Sequence, residues 1–193
     1  LFESAKNYDL KVILEKKINK IRPKNRIRNL SLDIFRVISD PAHVTILEIA
    51  SINAINLNSA LAAKAVGISE IEAQVIIERL DRLELIEKNQ KGFYKKTHDD
   101  LLVKSEMPNI ALRSFHKKML EKAIASLEAQ TNEEKFVGSE TFAFCTEDIK
   151  NAEKILEECF SRILALSQNS NKKNAVYHLG IQLFNLTKKE SLV

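Results

Sequence analysis

Residues 59–97 carry the pattern that most restricts the fold, because it specifies two consecutive helices separated by a turn of fixed length. Asn58 is a suitable N-cap for the first helix, and Gly67 stands where a left-handed C-cap is needed. Ser69 and Glu72 have the spacing of a capping box, in which each side chain bonds the other residue's amide. A second helix is therefore predicted to start at Ser69.

The second helix is predicted to end near Leu85 and to lead into a hairpin. Its inward stripe has helical spacing and consists of Ala73, Ile76, Ile77, Leu80 and Leu83. Two strand-like runs, residues 85–88 and 93–97, are joined by a loop in which Gly92 can adopt a positive φ. The order helix, helix, hairpin predicts a winged helix-turn-helix over residues 38–97.

The second helix has an unusual charge for a DNA reader. Its acidic residues are Glu70, Glu72, Glu78, Asp81 and Glu84, and its basic residues are Arg79 and Arg82. The outward positions, predicted as an interaction face, are Ile71, Gln74, Val75 and Glu78. Recognition helices present basic or neutral polar side chains to base edges and phosphates, whereas this face presents carboxylates and hydrocarbon. The alternatives are DNA binding and a winged helix used for protein interaction.

Basic residues concentrate before this domain and in the hairpin. The stretch from Lys11 to Arg28 contains one acid, Glu15, and belongs to a predicted basic helix and connector over residues 1–37. Phosphate neutralisation by such residues would make any DNA binding steeply salt-dependent. The candidate nucleic-acid contacts are Lys20, Arg22, Lys24, Arg26 and Arg28, together with Lys91, Lys95 and Lys96 of the hairpin. A solvated surface is the alternative interpretation of these lysines and arginines.

The remaining chain predicts one more helix before the winged-helix pair and a C-terminal domain over residues 98–193. Asp40 and Pro41 open the earlier helix as N-cap and first helical residue. Pro108 starts a long amphipathic helix to about Gln130. Residues 136–145 and 175–187 alternate as strands around a helix over 146–167, which predicts a β-α-β unit. The fold class is therefore α+β and mainly helical. The small sheet could be completed by a homodimer or by the strands of the wing.

No pattern of catalytic, cofactor-binding or metal-binding residues stands out. The four histidines fall in separate elements, and the four glycines form no phosphate-binding loop. Cys145 and Cys159 lack metal-ligand spacing, so we expect buried thiols in a reducing cytosol. The start of the chain has no signal-peptide pattern, and no apolar run reaches membrane-spanning length. We predict a cytoplasmic protein that is not an enzyme and does not enter a membrane.

Several segments resemble an uncharacterised family of bacterial regulator-like proteins with many paralogues in predatory bacteria. The resemblance spans about Ile38 to Lys188 and is most specific at Tyr177–Thr187, YHLGIQLFNLT. It also rests on Ser39, His43, Ile46–Ile49, Gly67–Ser69, Leu80, Leu83, Leu85, Arg113, Phe115–His116 and Met119–Leu120. Family members typically carry a further N-terminal helix-turn-helix, so the resemblance implies that such a region precedes Leu1.

These observations favour a transcription-regulator-like protein, in which this portion provides dimerisation, positioning or sensing and makes weak contact with double-stranded DNA. The alternative is a protein-interaction adaptor that uses a winged helix without binding DNA. The surface distribution of charge distinguishes them. A continuous basic surface favours DNA, and an exposed patch centred on Ile71 and Val75 favours a protein partner.

Overall fold

The structure is a computed structural model that describes residues 33–53, 55–97, 109–170 and 172–187. Its elements in chain order are α1 (residues 33–39), α2 (Pro41–Ile49), α3 (Ser59–Val66), α4 (Glu70–Arg82), β1 (Ile86–Lys88), β2 (Tyr94–Lys96), α5 (Asn109–Ala129) and α6 (Ile149–Gln168). A 3-10 turn, Thr146–Asp148, leads into α6. The described chain is mainly helical with a two-stranded antiparallel sheet, as the predicted fold class requires.

Helices α2, α3 and α4 begin at the predicted caps. Asp40 Oδ1 accepts a hydrogen bond from Ala42 N at 3.2 Å, and Asn58 Oδ1 accepts one from Leu61 N at 2.8 Å. Ser69 and Glu72 form the reciprocal capping box. Gly67 ends α3 with φ 77°, a left-handed conformation that a side chain disfavours. These residues confirm the predicted starts and the tight turn between α3 and α4.

The hairpin follows α4 closely. β1 and β2 pair antiparallel, with Ile86 opposite Lys96, and Gly92 has φ 82° in the connecting loop. Leu57, just before α3, bridges Tyr94 and adds a third short extended segment beside β2. This bridge joins the loop after α2 to the hairpin, so the three helices and the hairpin enclose one core.

That core is built from the predicted inward positions. Ile46 of α2, Leu57, Ile77 and Leu80 of α4 and Ile86 of β1 are all completely or almost completely buried. All five residues of the inward stripe predicted for α4 are buried: Ala73, Ile76, Ile77, Leu80 and Leu83. Since side chains on the opposite side of α4 are exposed, the helix divides cleanly into a packing side and an outer side.

The long helix α5 matches the prediction for 108–130 in length, but most of its apolar face is exposed. Ala111 is buried, and α5 contacts α2. In contrast, Ile110, Leu120, Ile124 and Leu127 are exposed. Lys135 folds back to donate to carbonyl oxygens of the last turn, including Ser126 O at 2.8 Å. The helix end is therefore capped by a cation, which the helix dipole favours.

The predicted β-α-β unit is only partly present. The 3-10 turn and α6 confirm its helix, but within the described chain residues 136–145 and 175–187 belong to no strand. The prediction of strands there is wrong for the single chain. Apolar alternation favours a strand, yet a strand exists only where a neighbouring segment accepts and donates its backbone hydrogen bonds.

Contacts divide the chain into two compact units. The first contains the described residues up to Thr141 together with 172–176, and the second contains 142–170 and 177–187. This division places α5 with the three-helix core, whereas the sequence grouped it with the C-terminal domain over 98–193. Most of the predicted segment 1–37 lies outside the described residues. The end of this segment, from Asp33, is helical and forms the start of α1. The sequence did not predict a helix there.

Candidate functional site

The outer side of α4 exposes the residues predicted as an interaction face. Ile71 is 79% exposed and Val75 is 45% exposed, one turn apart. Gln74 and Glu78 lie on the same side, where Gln74 Nε2 donates to Glu78 Oε1 at 2.8 Å. We call these four residues the α4 face. It consists of two bare aliphatic side chains beside an amide and a carboxylate.

Further carboxylates surround the α4 face. Glu70 accepts a hydrogen bond from Ser59 Oγ at 2.9 Å, which ties the start of α4 to the start of α3. Hydrogen bonds from the Ser69 side chain and backbone hold the pKa of Glu72 below its usual range. Glu72 therefore remains ionised at neutral pH. The electrostatic surroundings of the exposed aliphatic residues are acidic.

The two basic residues of α4 share one carboxylate, Asp33 of α1, so the three groups together carry a single positive charge. Arg79 Nε donates to Asp33 Oδ1 at 2.9 Å, and Arg82 Nε donates to Asp33 Oδ2 at 2.9 Å. Burial would raise the pKa of Asp33, but hydrogen bonds from Arg82 and Arg79 outweigh it and hold that pKa below its usual range. Arg79 itself is buried and turned away from the α4 face. One carboxylate thus fixes two arginines.

Arg79 also binds His43 of α2. Its Nη1 lies 2.7 Å from His43 Nε2, and both side chains are buried. A guanidinium only donates, so Nε2 accepts and the ring proton lies on Nδ1. His43 Nδ1 faces Asp40 Oδ2 at 3.4 Å, a contact longer and less aligned than a hydrogen bond. The pairing with His43, together with the Ala42 amide, lowers the pKa of Asp40 to about 2 despite partial burial.

These contacts form one network across three helices. Its members are Asp33 of α1, Asp40 at the N-cap of α2, His43 of α2, and Arg79 and Arg82 of α4. We call it the arginine network. It sets the position of α4 against α1 and α2 through charge-assisted bonds in a partly buried setting. It buries Arg79 and pairs Arg82, whose side chain stays 57% exposed, so of the two α4 arginines only Arg82 faces solvent.

Two of the three hairpin lysines predicted as phosphate contacts are similarly engaged. Lys95 Nζ donates to three backbone oxygens of the loop after α2: Ile52 O at 3.1 Å, Asn53 O at 3.1 Å and Ile55 O at 2.8 Å. Lys96 Nζ bonds Glu48 Oε1 at 2.8 Å, and its side chain is 6% exposed. Lys91 is exposed at the hairpin tip. The role of Lys91, Lys95 and Lys96 at phosphates stays a prediction, and only Lys91 presents an uncovered ammonium.

A family model now supplies the affiliation of the chain. The model for a domain of unknown function, DUF4423, matches residues 21–186, which include every helix and strand described above. The chain belongs to this family. No curated protein and no solved structure matches it. The DUF4423 match agrees with the resemblance inferred from the sequence to the extent that both identify an uncharacterised family.

Other predicted residues of the DUF4423 chain fall in different places. The basic candidates Lys20, Arg22, Lys24, Arg26 and Arg28 lie outside the described residues. Cys145 and Cys159 are exposed free thiols, so the prediction of buried thiols is wrong. The second unit, which holds both, has no buried residue in its described part.

The described residues give two further negative findings. Among them, no group of three or more histidine, cysteine, aspartate or glutamate side chains is arranged to bind a metal ion. Within the same ranges, each helix is too short or too polar to cross a membrane.

Sequence reasoning found the α4 face but missed the arginine network. Periodicity places Ile71 and Val75 opposite the core stripe, and that geometry is local. Asp33 lies 46 residues before Arg79, and no local spacing pairs them. The available signal was the position of Arg79 itself, which falls at i+3 from Ile76 and therefore on the inward side of α4.

Proposed function

We propose that α2, α3, α4 and the hairpin form a winged helix that binds a protein partner through the α4 face instead of reading DNA with it. The observation that carries this proposal is the capture of Arg79 and Arg82 by Asp33 while Ile71 and Val75 remain exposed. The element order, with Leu57 bridging the hairpin, supports the winged-helix assignment.

Charge disfavours DNA as the ligand of α4. Affinity for DNA depends on cations that displace counterions from phosphates. Arg79 is buried, Arg82 is paired, and Lys95 and Lys96 bond oxygens of their own domain. Freeing them would break these bonds, and the carboxylates near Ile71 would still face the phosphates. These four buried or paired cations of α4 and β2 are therefore poor candidates for phosphate contact.

The α4 face suits a partner that presents apolar side chains flanked by positive charge. Exposed aliphatic residues supply the apolar centre of a protein interface, and a rim of charge selects partners of complementary sign. Glu70, Glu72 and Glu78 provide a negative rim around Ile71 and Val75. An apolar segment flanked by lysine or arginine, such as an amphipathic basic helix, fits these properties.

The regulator-like character of the protein remains part of the proposal. In that setting, DNA affinity comes from other parts of the protein, including the basic segment 11–28, and the winged helix contributes positioning or partner binding. The five basic candidates from Lys20 to Arg28 are the residues to test for phosphate contact.

The test replaces Val75 with lysine in the full chain. Burying an unpaired cation in an apolar interface with basic neighbours costs several kcal/mol. We expect partners retained from a cell extract by the wild type to be lost with Val75→Lys. The control Ala65→Lys adds the same charge at an exposed position of α3 and should retain them. Each protein lost selectively is then produced pure and its dissociation constant measured against both variants.

A second arm measures DNA binding by fluorescence anisotropy with a mixed-sequence duplex at two salt concentrations. The proposal expects Val75→Lys to leave affinity unchanged apart from the weak gain that any added cation gives, which Ala65→Lys reproduces. It expects Lys20, Arg22, Lys24 and Arg26 changed together to alanine to abolish any binding. If Gln74→Ala or Glu78→Ala changes discrimination between duplex sequences, α4 reads DNA and the proposal is wrong.

A further inference from the structure

The second unit has many large apolar side chains but no buried core among its described residues. It includes the 20-residue helix α6 and the segment 177–187, which belongs to no helix or strand, and none of its described residues is buried. A helix with one strongly apolar side is stable in water only when that side is covered. The unit therefore needs a partner surface to account for its sequence.

The exposed apolar area is large. The exposed large hydrophobic side chains of the unit are Phe142, Phe144, Ile149, Ile155, Ile163, Leu164, Leu166, Tyr177, Leu179, Ile181, Leu183, Phe184 and Leu186. At about 200 Å² for a fully buried aromatic side chain, the four aromatic residues alone expose on the order of 500 Å². The aliphatic residues take the total past the ~800 Å² that each partner contributes to a standard interface. Without a partner, these side chains would all remain in contact with water.

The segment 177–187 carries the least charge of the exposed regions. Its sequence, YHLGIQLFNLT, contains no lysine, arginine, aspartate or glutamate. Leu179, Ile181 and Leu183 alternate with Gly180 and Gln182, so one side of an extended chain is aliphatic. Two copies of this segment can approach without like-charge repulsion, and their aliphatic sides match each other. The segment is self-complementary in the sense that a two-fold interface requires.

We infer that this surface is the homodimer interface, in which segment 177–187 pairs antiparallel with the same segment of a second copy and α6 covers the joint sheet. Antiparallel pairing of identical segments gives residues 177–187 a strand partner that no other described segment provides. It explains why alternation typical of a strand occurs in a segment without a strand. The inference is independent of the ligand of the α4 face, since that face belongs to the first unit.

The test uses opposite charges at one position. Two full-length variants, Ile181→Lys and Ile181→Glu, are examined separately and as an equal mixture by sedimentation and native mass spectrometry. Across a two-fold axis, each variant places like charges close together, whereas the mixture places a lysine opposite a glutamate. The wild type should have twice the 22.0 kDa mass of the chain. Each variant should dimerise at least ~100-fold more weakly, and the mixture should form the mixed dimer with most of the affinity restored.

The same pair of changes at Ala60, an exposed position of α3, is the control and should leave dimerisation unchanged in all samples. Recovery in the Ile181 mixture also shows that both variants fold, so loss of the dimer is not loss of structure. A monomeric wild type at tens of micromolar overturns the inference. Variants that remain dimeric place the interface elsewhere. Variants that stay monomeric when mixed show that residues 177–187 are covered by their own chain.

Discussion

Replacing Arg79 with methionine tests the arginine network most directly. Methionine keeps the length and packing of the aliphatic stem and removes the donors to Asp33 and His43. His43 is 3% exposed, so its Nε2 would be left buried without a donor. An unsatisfied buried group of this kind costs about 1–3 kcal/mol.

The second contribution comes from Asp33. Removing one member of a buried ion pair costs about 3–5 kcal/mol when the remaining charge has no other partner. Asp33 keeps Arg82, and its side chain is 14% exposed, so we expect a loss well below that range. Together the two contributions predict that Arg79→Met lowers the free energy of unfolding by about 3 kcal/mol.

The control is Arg82→Met, which removes the other arginine from the same carboxylate. The Arg82 side chain is 57% exposed, and pairs at such sites contribute at most about 1 kcal/mol. Urea unfolding followed by circular dichroism measures both variants. In the background of His43→Leu the penalty for Arg79→Met should fall by about 1–2 kcal/mol, because no orphaned Nε2 remains. Equal losses for the two arginine variants would refute the reasoning, since burial would then make no difference.

Substitutions at three other positions have expected outcomes of their own. Lys95→Met leaves the carbonyls of Ile52, Asn53 and Ile55 without their ammonium and should destabilise the domain by about 1–3 kcal/mol in urea unfolding, while Lys91→Met should be neutral. Asp40→Asn keeps the N-cap but removes a carboxylate whose pKa falls from 3.8 to about 2 on folding. Because folding lowers this pKa, the ionised carboxylate stabilises the fold above pH ~4, and this contribution is lost as the pH falls toward 2. Because that side chain is 40% exposed, we expect a difference of about 1 kcal/mol at pH 7 that shrinks when unfolding is measured at pH 3. Gly67→Ala should lower stability by about 1–2 kcal/mol through backbone strain, since φ is 77° and no atom beyond the two neighbouring residues lies within 4 Å of the added methyl group. An unchanged melting temperature would contradict this expectation.

Local rules were sufficient for the three-helix core and its hairpin. The caps at Asp40, Asn58 and Ser69 depend on residues within three positions, and all three are present. The inward stripe of α4 follows from helical periodicity, and so does the exposure of Ile71 and Val75. These features need no knowledge of distant residues, which is why the sequence predicts them.

Features that depend on distant partners were not predictable in the same way. The sequence gives Arg79 only as one of the two basic residues of the second helix, and its partner Asp33 lies in a segment that was not predicted to be helical. The bonds from Lys95 to the carbonyl oxygens after α2 join residues about 40 positions apart, so no local pattern could show them. The prediction of strands at 136–145 and 175–187 is wrong because alternation of apolar and polar residues shows only which side of a strand would be apolar. It does not show whether another strand lies beside it to pair with its backbone.

The shared carboxylate of Asp33 sets where an independently folding fragment can be cut. A fragment starting at residue 38, at the predicted domain boundary, would lose Asp33 and the buried Val37. Arg79 would then keep its place in the interior with His43 as a neighbour and no anion to balance it. A piece that begins at or before Asp33 retains the pair. The N-terminal limit of a folding fragment is therefore set by the carboxylate of Asp33 and not by the first residue of the first predicted helix.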